Sequence, residues 1–107
     1  MNVNELSGTD LDWAVARCEG VVNGDELDIG FILEGGYTPS TNWELGGSII
    51  EREGIQLARL GDVWEAWVDA DGVFYQGSTP LIAAMRCYVA SVMGDEIYVP
   101  EELKEAA

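Results

Sequence analysis

"STPLIAAMRCYVASVMG", residues 78–94, is the stretch from which the fold of this chain can be read outward. Thr79 is a good helix-capping residue, and Pro80 suits the first helical position because an N–H there would have no helical partner anyway. Gly94 offers a stop. Between these marks only Arg86 and Ser91 are plainly polar. The spacing therefore predicts a helix over 80–93 that is apolar nearly all round and needs cover on more than one side. A sheet beneath it, with either an N-terminal helix or an irregular middle segment above it, would supply that cover.

The sheet is legible just upstream. "IQLARL" at 55–60, "VWEAWV" at 63–68 and the run at 72–76 are rich in β-branched, aliphatic and aromatic residues. Gly61-Asp62 and Asp69-Ala70-Asp71-Gly72 separate them, and both are good turn chemistry. Connections this short predict an antiparallel meander. Within the second run Trp64, Ala66 and Val68 share one face, while Val63, Glu65 and Trp67 share the other. One tryptophan is thereby expected off the core.

At the start of the chain, "SGTDLDWAVARCEG" (7–20) has cap candidates Ser7 and Thr9, with Asp10 and Asp12 in the opening turn where carboxylates favour the positive helix end. Leu11, Ala14, Val15 and Cys18 recur at helical spacing, and Gly20 can end the run. Trp13 lies beside that stripe, one turn before Arg17. It either covers the edge of the core or stacks under the guanidinium. After the turn dipeptide Asn23-Gly24, a weak short strand is expected over 28–33, interrupted by Gly30.

The segment "GGYTPSTNWELGGSIIEREG" (35–54) is the irregular one. Its Gly-Gly pairs read as tight turns, and Pro39 holds Thr38 extended. Ser48 with Glu51 fits a capping box for a short helix stopped at Gly54. Tyr37 and Trp43 are expected to fold back as buried anchors, which would make Trp43→Ala cost roughly 3 kcal/mol or more. The segment is either a connection pinned by those two aromatics or a partner-binding loop, since long ordered loops in small domains often carry function. The class is α+β: an N-terminal helix, an irregular segment with a short helix, a three-stranded antiparallel sheet and a long buried C-terminal helix, arranged as two layers or as an α/β/α sandwich. Residues 1–107 read as a single domain, with 100–107 a short terminal helix or a frayed tail.

Charge is the outlier of the composition. Twenty Asp and Glu stand against five Lys and Arg, with no His, for a formal net charge of −15 and a pI near 4.1. The acids run from Glu5 to Glu105 rather than gathering in a tail, which describes a decorated folded surface. Nucleic acid and anionic membrane surfaces are excluded as direct ligands by the sign of that field. The longest apolar stretch contains Arg86 and is too short to span a bilayer. "MNVNELSG" lacks the basic start and apolar core of a secretion signal, so a cytoplasmic location is expected. Cys18 and Cys87 read as reduced, buried thiols.

No constellation for catalysis emerges. Histidine is absent, the single lysine, Lys104, lies in the tail, and a chain this small rarely encloses the cleft a carboxylate pair would need. "DADG" at 69–72 begins like a calcium loop, but "VFYQGSTP" supplies neither the later oxygen ligands nor the closing acid. The glycines of 35–47 lack the strand and lysine of a phosphate loop. No cofactor, no metal and no enzymatic activity are expected.

Two blocks carry a likeness to a known family: Ser40-Thr41-x-Trp43 followed by Gly46-Gly47-x-Ile49-Ile50, and Thr79-Pro80-Leu81-Ile82-Ala83-Ala84-Met85. In this order, after "ELSGTDLDWAVARCEG" and around a Trp-containing meander, the chain resembles the small NinX-like proteins of tailed bacteriophages over nearly its whole length. Ser48 departs from the proline that similar sequences often carry there, and either residue suits the start of a helix. The resemblance implies an accessory role during infection, in the host cytoplasm, and no activity tied to particular residues.

Two readings of function follow. In the first, the chain is a DNA mimic whose acidic face, drawn from Glu51, Glu53, Glu65, Asp69 and Asp71, occupies a basic surface on a host or phage protein. In the second, it is an adaptor or homodimer acting through an apolar patch around Trp43, Trp67, Tyr37 or Tyr75, with acidity serving solubility. Salt separates them, because only the first weakens steeply as ionic strength rises.

Overall fold

The computed structural model of the chain describes residues 1–20, 32, 34–68, 73–101 and 103. The strand expected over 28–33 lies outside them but for Ile32, which is buried in helical rather than extended backbone; the 69–72 turn and most of the tail also lie outside.

The helix expected from "STPLIAAMRCYVASVMG" spans Pro80–Met93 and is designated α3 below, after α1 (Gly8–Glu19) and α2 (Trp43–Glu53). Its ends obey the local chemistry. Thr79 Oγ1 accepts a hydrogen bond from the Ile82 N–H at 3.1 Å, Pro80 opens the first turn, and the Gly94 N–H returns to the Ala90 carbonyl. Leu81, Ala83, Ala84, Met85, Cys87, Tyr88, Val89 and Ala90 are all buried, so the helix is covered round most of its circumference. The sheet lies against one side, and α1 and α2 pack on the others.

That sheet is the expected antiparallel meander, β1 (Gln56–Leu60), β2 (Val63–Trp67) and β3 (Tyr75–Gly77) in the order β1-β2-β3, although the third strand starts later than the expected 72–76 and leaves Val73 and Phe74 outside it. Leu57 pairs with Ala66 and Ala66 with Tyr75, and this register turns Ala66 fully inward. Trp64 and Val68 also pack on the core from that face. Val63, Glu65 and Trp67 occupy the other.

The first helix begins after Ser7, whose side chain makes no capping bond, and stops at Gly20, where a φ of 66° allows the N–H to reach the Ala16 and Arg17 carbonyls. Trp13 satisfies both expectations at once: it is 5% exposed, and the Arg17 guanidinium sits 5.8 Å from its ring centroid. Ahead of α1, a single 3-10 turn over Val3–Glu5 is tied to the segment that follows α3. Val3 N–H donates to the Asp95 carbonyl at 2.7 Å and the terminal amine to the Ile97 carbonyl at 2.9 Å. Ile97, Val99 and Leu103 are buried, so the chain beyond α3 closes the core rather than leaving it.

The middle segment corrects three expectations. Helix α2 starts at Trp43, not at Ser48, because Asn42 takes the cap: its Oδ1 accepts from the Glu44 N–H at 2.9 Å. Gly46 and Gly47 are thus interior helical residues instead of a turn, and the Ser48 hydroxyl donates back to the Glu44 carbonyl. Trp43, at the first helical position, points outward. It is 55% exposed and anchors nothing, whereas Tyr37 packs against the core but is only half-buried.

Candidate functional site

Helices α2 and α3 start close together, and a buried carboxylate holds the turn between α1 and α2 in place. Asp12 accepts the Ser40 N–H at 2.8 Å across 28 residues of chain, while Thr41 and Asn42 N–H groups bond the Thr38 carbonyl. Burial pushes the Asp12 carboxyl above its ordinary range, and hydrogen bonding from Ser40 opposes that rise. With the turn fixed, Gly46 brings α2 against Pro39 and Leu81 more closely than any side chain would allow. An open groove of about 220 Å³ results, walled by Trp43, floored by Pro80, Leu81 and Ile82, and edged by Thr41 and Thr79.

A second cluster joins three helices. Arg52 of α2 grips Glu19 of α1 with two hydrogen bonds, 2.9 and 2.6 Å, and also bonds Glu53 at 2.7 Å. The Tyr88 hydroxyl, from α3, donates to the same Glu19 carboxylate, and the guanidinium lies 5.6 Å from the Tyr88 ring centroid. Hydrogen bonds from Arg52 hold the Glu19 carboxyl below its usual range. Burial, with the Glu19 charge nearby, pushes the Tyr37 phenol up to about 12. Arg52 and Tyr88 both bond the Glu19 carboxylate, so the cluster works as a clamp between helices.

The outer face of the sheet carries a third group. Trp67 and Phe74 stack with centroids 5.3 Å apart at 60°, and Glu65 accepts from Gln76 Nε2 across the strands. Val73 and Phe74 are half-exposed. At the sheet edge a hollow of about 280 Å³ opens between Val68, Val73 and Tyr75 on one side and Cys87, Ala90 and Ser91 of α3 on the other.

The residues singled out from the sequence therefore fall in several places. Glu51 and Glu53 lie at the exposed end of α2, and Glu65 projects from the sheet face turned away from α3. Trp43 lines the groove, Tyr37 borders the clamp, and Trp67 belongs to the outer aromatic pair. Asp69 and Asp71 lie outside the described residues. Sequence reasoning missed the groove because it placed the helix start too late. The available signal was Asn42 directly before Trp43-Glu44, a cap followed by an acid in the first turn.

Both thiols are free, and burial is the main cause that pushes Cys18 up to about 12 and Cys87 to about 11. Among the described residues no group of three or more His, Cys, Asp or Glu side chains could hold a metal ion, and no helix is long and apolar enough to cross a membrane.

Comparison with known families matches residues 2–92 to the family described as NinX of bacteriophage P22, and the chain belongs to that phage protein family. A comparison with curated proteins finds no match.

Proposed function

We propose that this NinX-family chain is a non-enzymatic accessory protein of phage infection that binds a host or phage protein through its acidic surface, in the manner of a DNA mimic. One observation carries the reading: the chain has a formal charge of −15, and among the described residues Arg52 is the only cation that forms ion pairs. Glu5, Glu34, Glu44, Glu51 and Asp62 stand exposed on helices and turns. A basic groove releases its counterions to any polyanion of suitable shape, so such a surface competes for it with nucleic acid. The site of action is the cytoplasm of the infected bacterium, where such basic surfaces are found on proteins of DNA metabolism.

The experiment is capture of proteins from infected-cell extract on the immobilised chain, elution with rising salt, and a DNA-binding assay on what elutes. A protein released steeply by salt, and blocked from DNA by the free chain, is the expected result. Capture indifferent to salt would point to apolar adaptor binding and remove the basis for mimicry.

A further inference from the structure

We infer that the Trp43 groove is a docking site for one apolar side chain carried on a cationic protein segment. The segment's charge rests on the acidic-surface reading above; the groove's chemistry does not. Trp43 is 55% exposed although the fold buries Trp13 to 5%, so a large aromatic is held in water beside an apolar floor of Pro80, Leu81 and Ile82. At about 220 Å³ the groove falls below the roughly 300–1,000 Å³ typical of small-molecule sites and suits a single inserted side chain.

Its chemistry narrows the occupant. No charged residue lines the groove. The N–H groups of Glu44 and Ile82, at the two helix starts, are taken by the Asn42 and Thr79 caps, and inside a rim of Ser40, Thr41 and Thr79 the remaining lining is Trp43, Pro80, Leu81 and Ile82. That apolar wall and floor fit an apolar side chain. Outside the groove, Glu44 follows Trp43 directly in the chain and is exposed, and the net charge of −15 surrounds both. A second copy of the chain would bring another −15 to the contact, which like-charge repulsion opposes. A partner segment with Lys or Arg flanking its apolar residue meets attraction instead, and the open face of Trp43 accepts such a cation favourably.

The test uses the full chain and two lysine-flanked peptides that differ only in the central residue, Leu or Ala, with affinities measured by calorimetry at low and high salt. The Leu peptide is expected to bind about tenfold tighter than the Ala peptide, the gain from burying the larger side chain, and Trp43→Ala should abolish that preference. Thr41→Phe, which fills the groove from its exposed rim, should abolish it as well and guards against a folding defect in the first variant. Equal binding of the two peptides, weakened by salt, overturns the groove while leaving the acidic-surface reading intact. A Leu preference that survives both substitutions also overturns the groove. Failure of both peptides to bind overturns the groove. Self-association of the chain that Trp43→Ala removes would make a second copy the occupant and overturn the cationic one.

Discussion

A Cβ atom on Gly46 would stand 2.6 Å from Leu81 Cδ2 and 2.5 Å from the Pro39 carbonyl oxygen, so α2 crosses the start of α3 at a distance only glycine permits. The neighbouring Gly47 has room: a Cβ there meets Trp43 Cε3 at 3.6 Å, an ordinary contact. Alanine favours a helix interior over glycine by about 1 kcal/mol. Gly47→Ala should accordingly raise stability by up to ~1 kcal/mol. Gly46→Ala should lower it by ~1 kcal/mol or more, because overpacking costs about 1–3 kcal/mol and outweighs the propensity gain. Denaturant midpoints of the two variants check this; stabilisation by both would show that α2 can move away from α3.

The clamp at Glu19 makes a pH-dependent contribution whose sign is set by its lowered carboxyl pKa. The stabilisation is fully present above the ordinary value of 4.5 and is lost as pH falls through the lower folded value. Glu19→Gln should cost ~1 kcal/mol at neutral pH, a modest figure because the Arg52 side chain is 50% exposed and salt screens the pair. The gap between wild type and variant should close as the solution is acidified below 4.5. Asp12 acts in the opposite sense. Its raised carboxyl pKa removes stability as pH climbs above 3.8, so Asp12→Asn should flatten that part of the profile. Urea unfolding across pH separates the two, and a Glu19→Gln gap that widens in acid would contradict the clamp.

Trp43→Ala should change the unfolding free energy by less than ~1 kcal/mol, since exposed positions away from special features are nearly neutral. Trp13→Ala should lose ~3–5 kcal/mol, as large aromatics in a core do. Equal losses in the two variants would return Trp43 to an anchoring role.

Arg86 is the one charged residue of α3, and its guanidinium bonds two carbonyls from distant parts of the chain: Leu6 at 2.8 Å and Gln76 at 2.6 Å. Arg86→Met keeps most of the aliphatic bulk and leaves both acceptors without that donor, at a cost of ~2 kcal/mol. The segment before α1 should loosen first. Faster hydrogen exchange at the Val3 amide, which donates to the Asp95 carbonyl, is the expected signature, and unchanged protection there would show that Arg86 does not hold the N-terminal segment.

Much of the fold was legible because its signals are local. Thr79, Pro80 and Gly94 mark the ends of α3 through bonds made within a turn of each residue, and the alternation in "VWEAWV" already separated Ala66 from Trp67. The candidate site was less legible. Two consecutive glycines read locally as a turn, and the one signal against that is the Asn42 cap four residues ahead of them.

By itself, then, the sequence determined the class, the meander, both ends of α3 and the excess of carboxylates, since each depends on composition or on neighbours a few residues apart. Tertiary structure alone decided why Gly46 is glycine: the reason is Leu81, a contact across 35 positions of chain. It likewise decided that Trp43 faces water and that Arg86 has partners in Leu6 and Gln76. Helix propensity is a penalty of about 1 kcal/mol for glycine, and close packing between distant segments can exceed it.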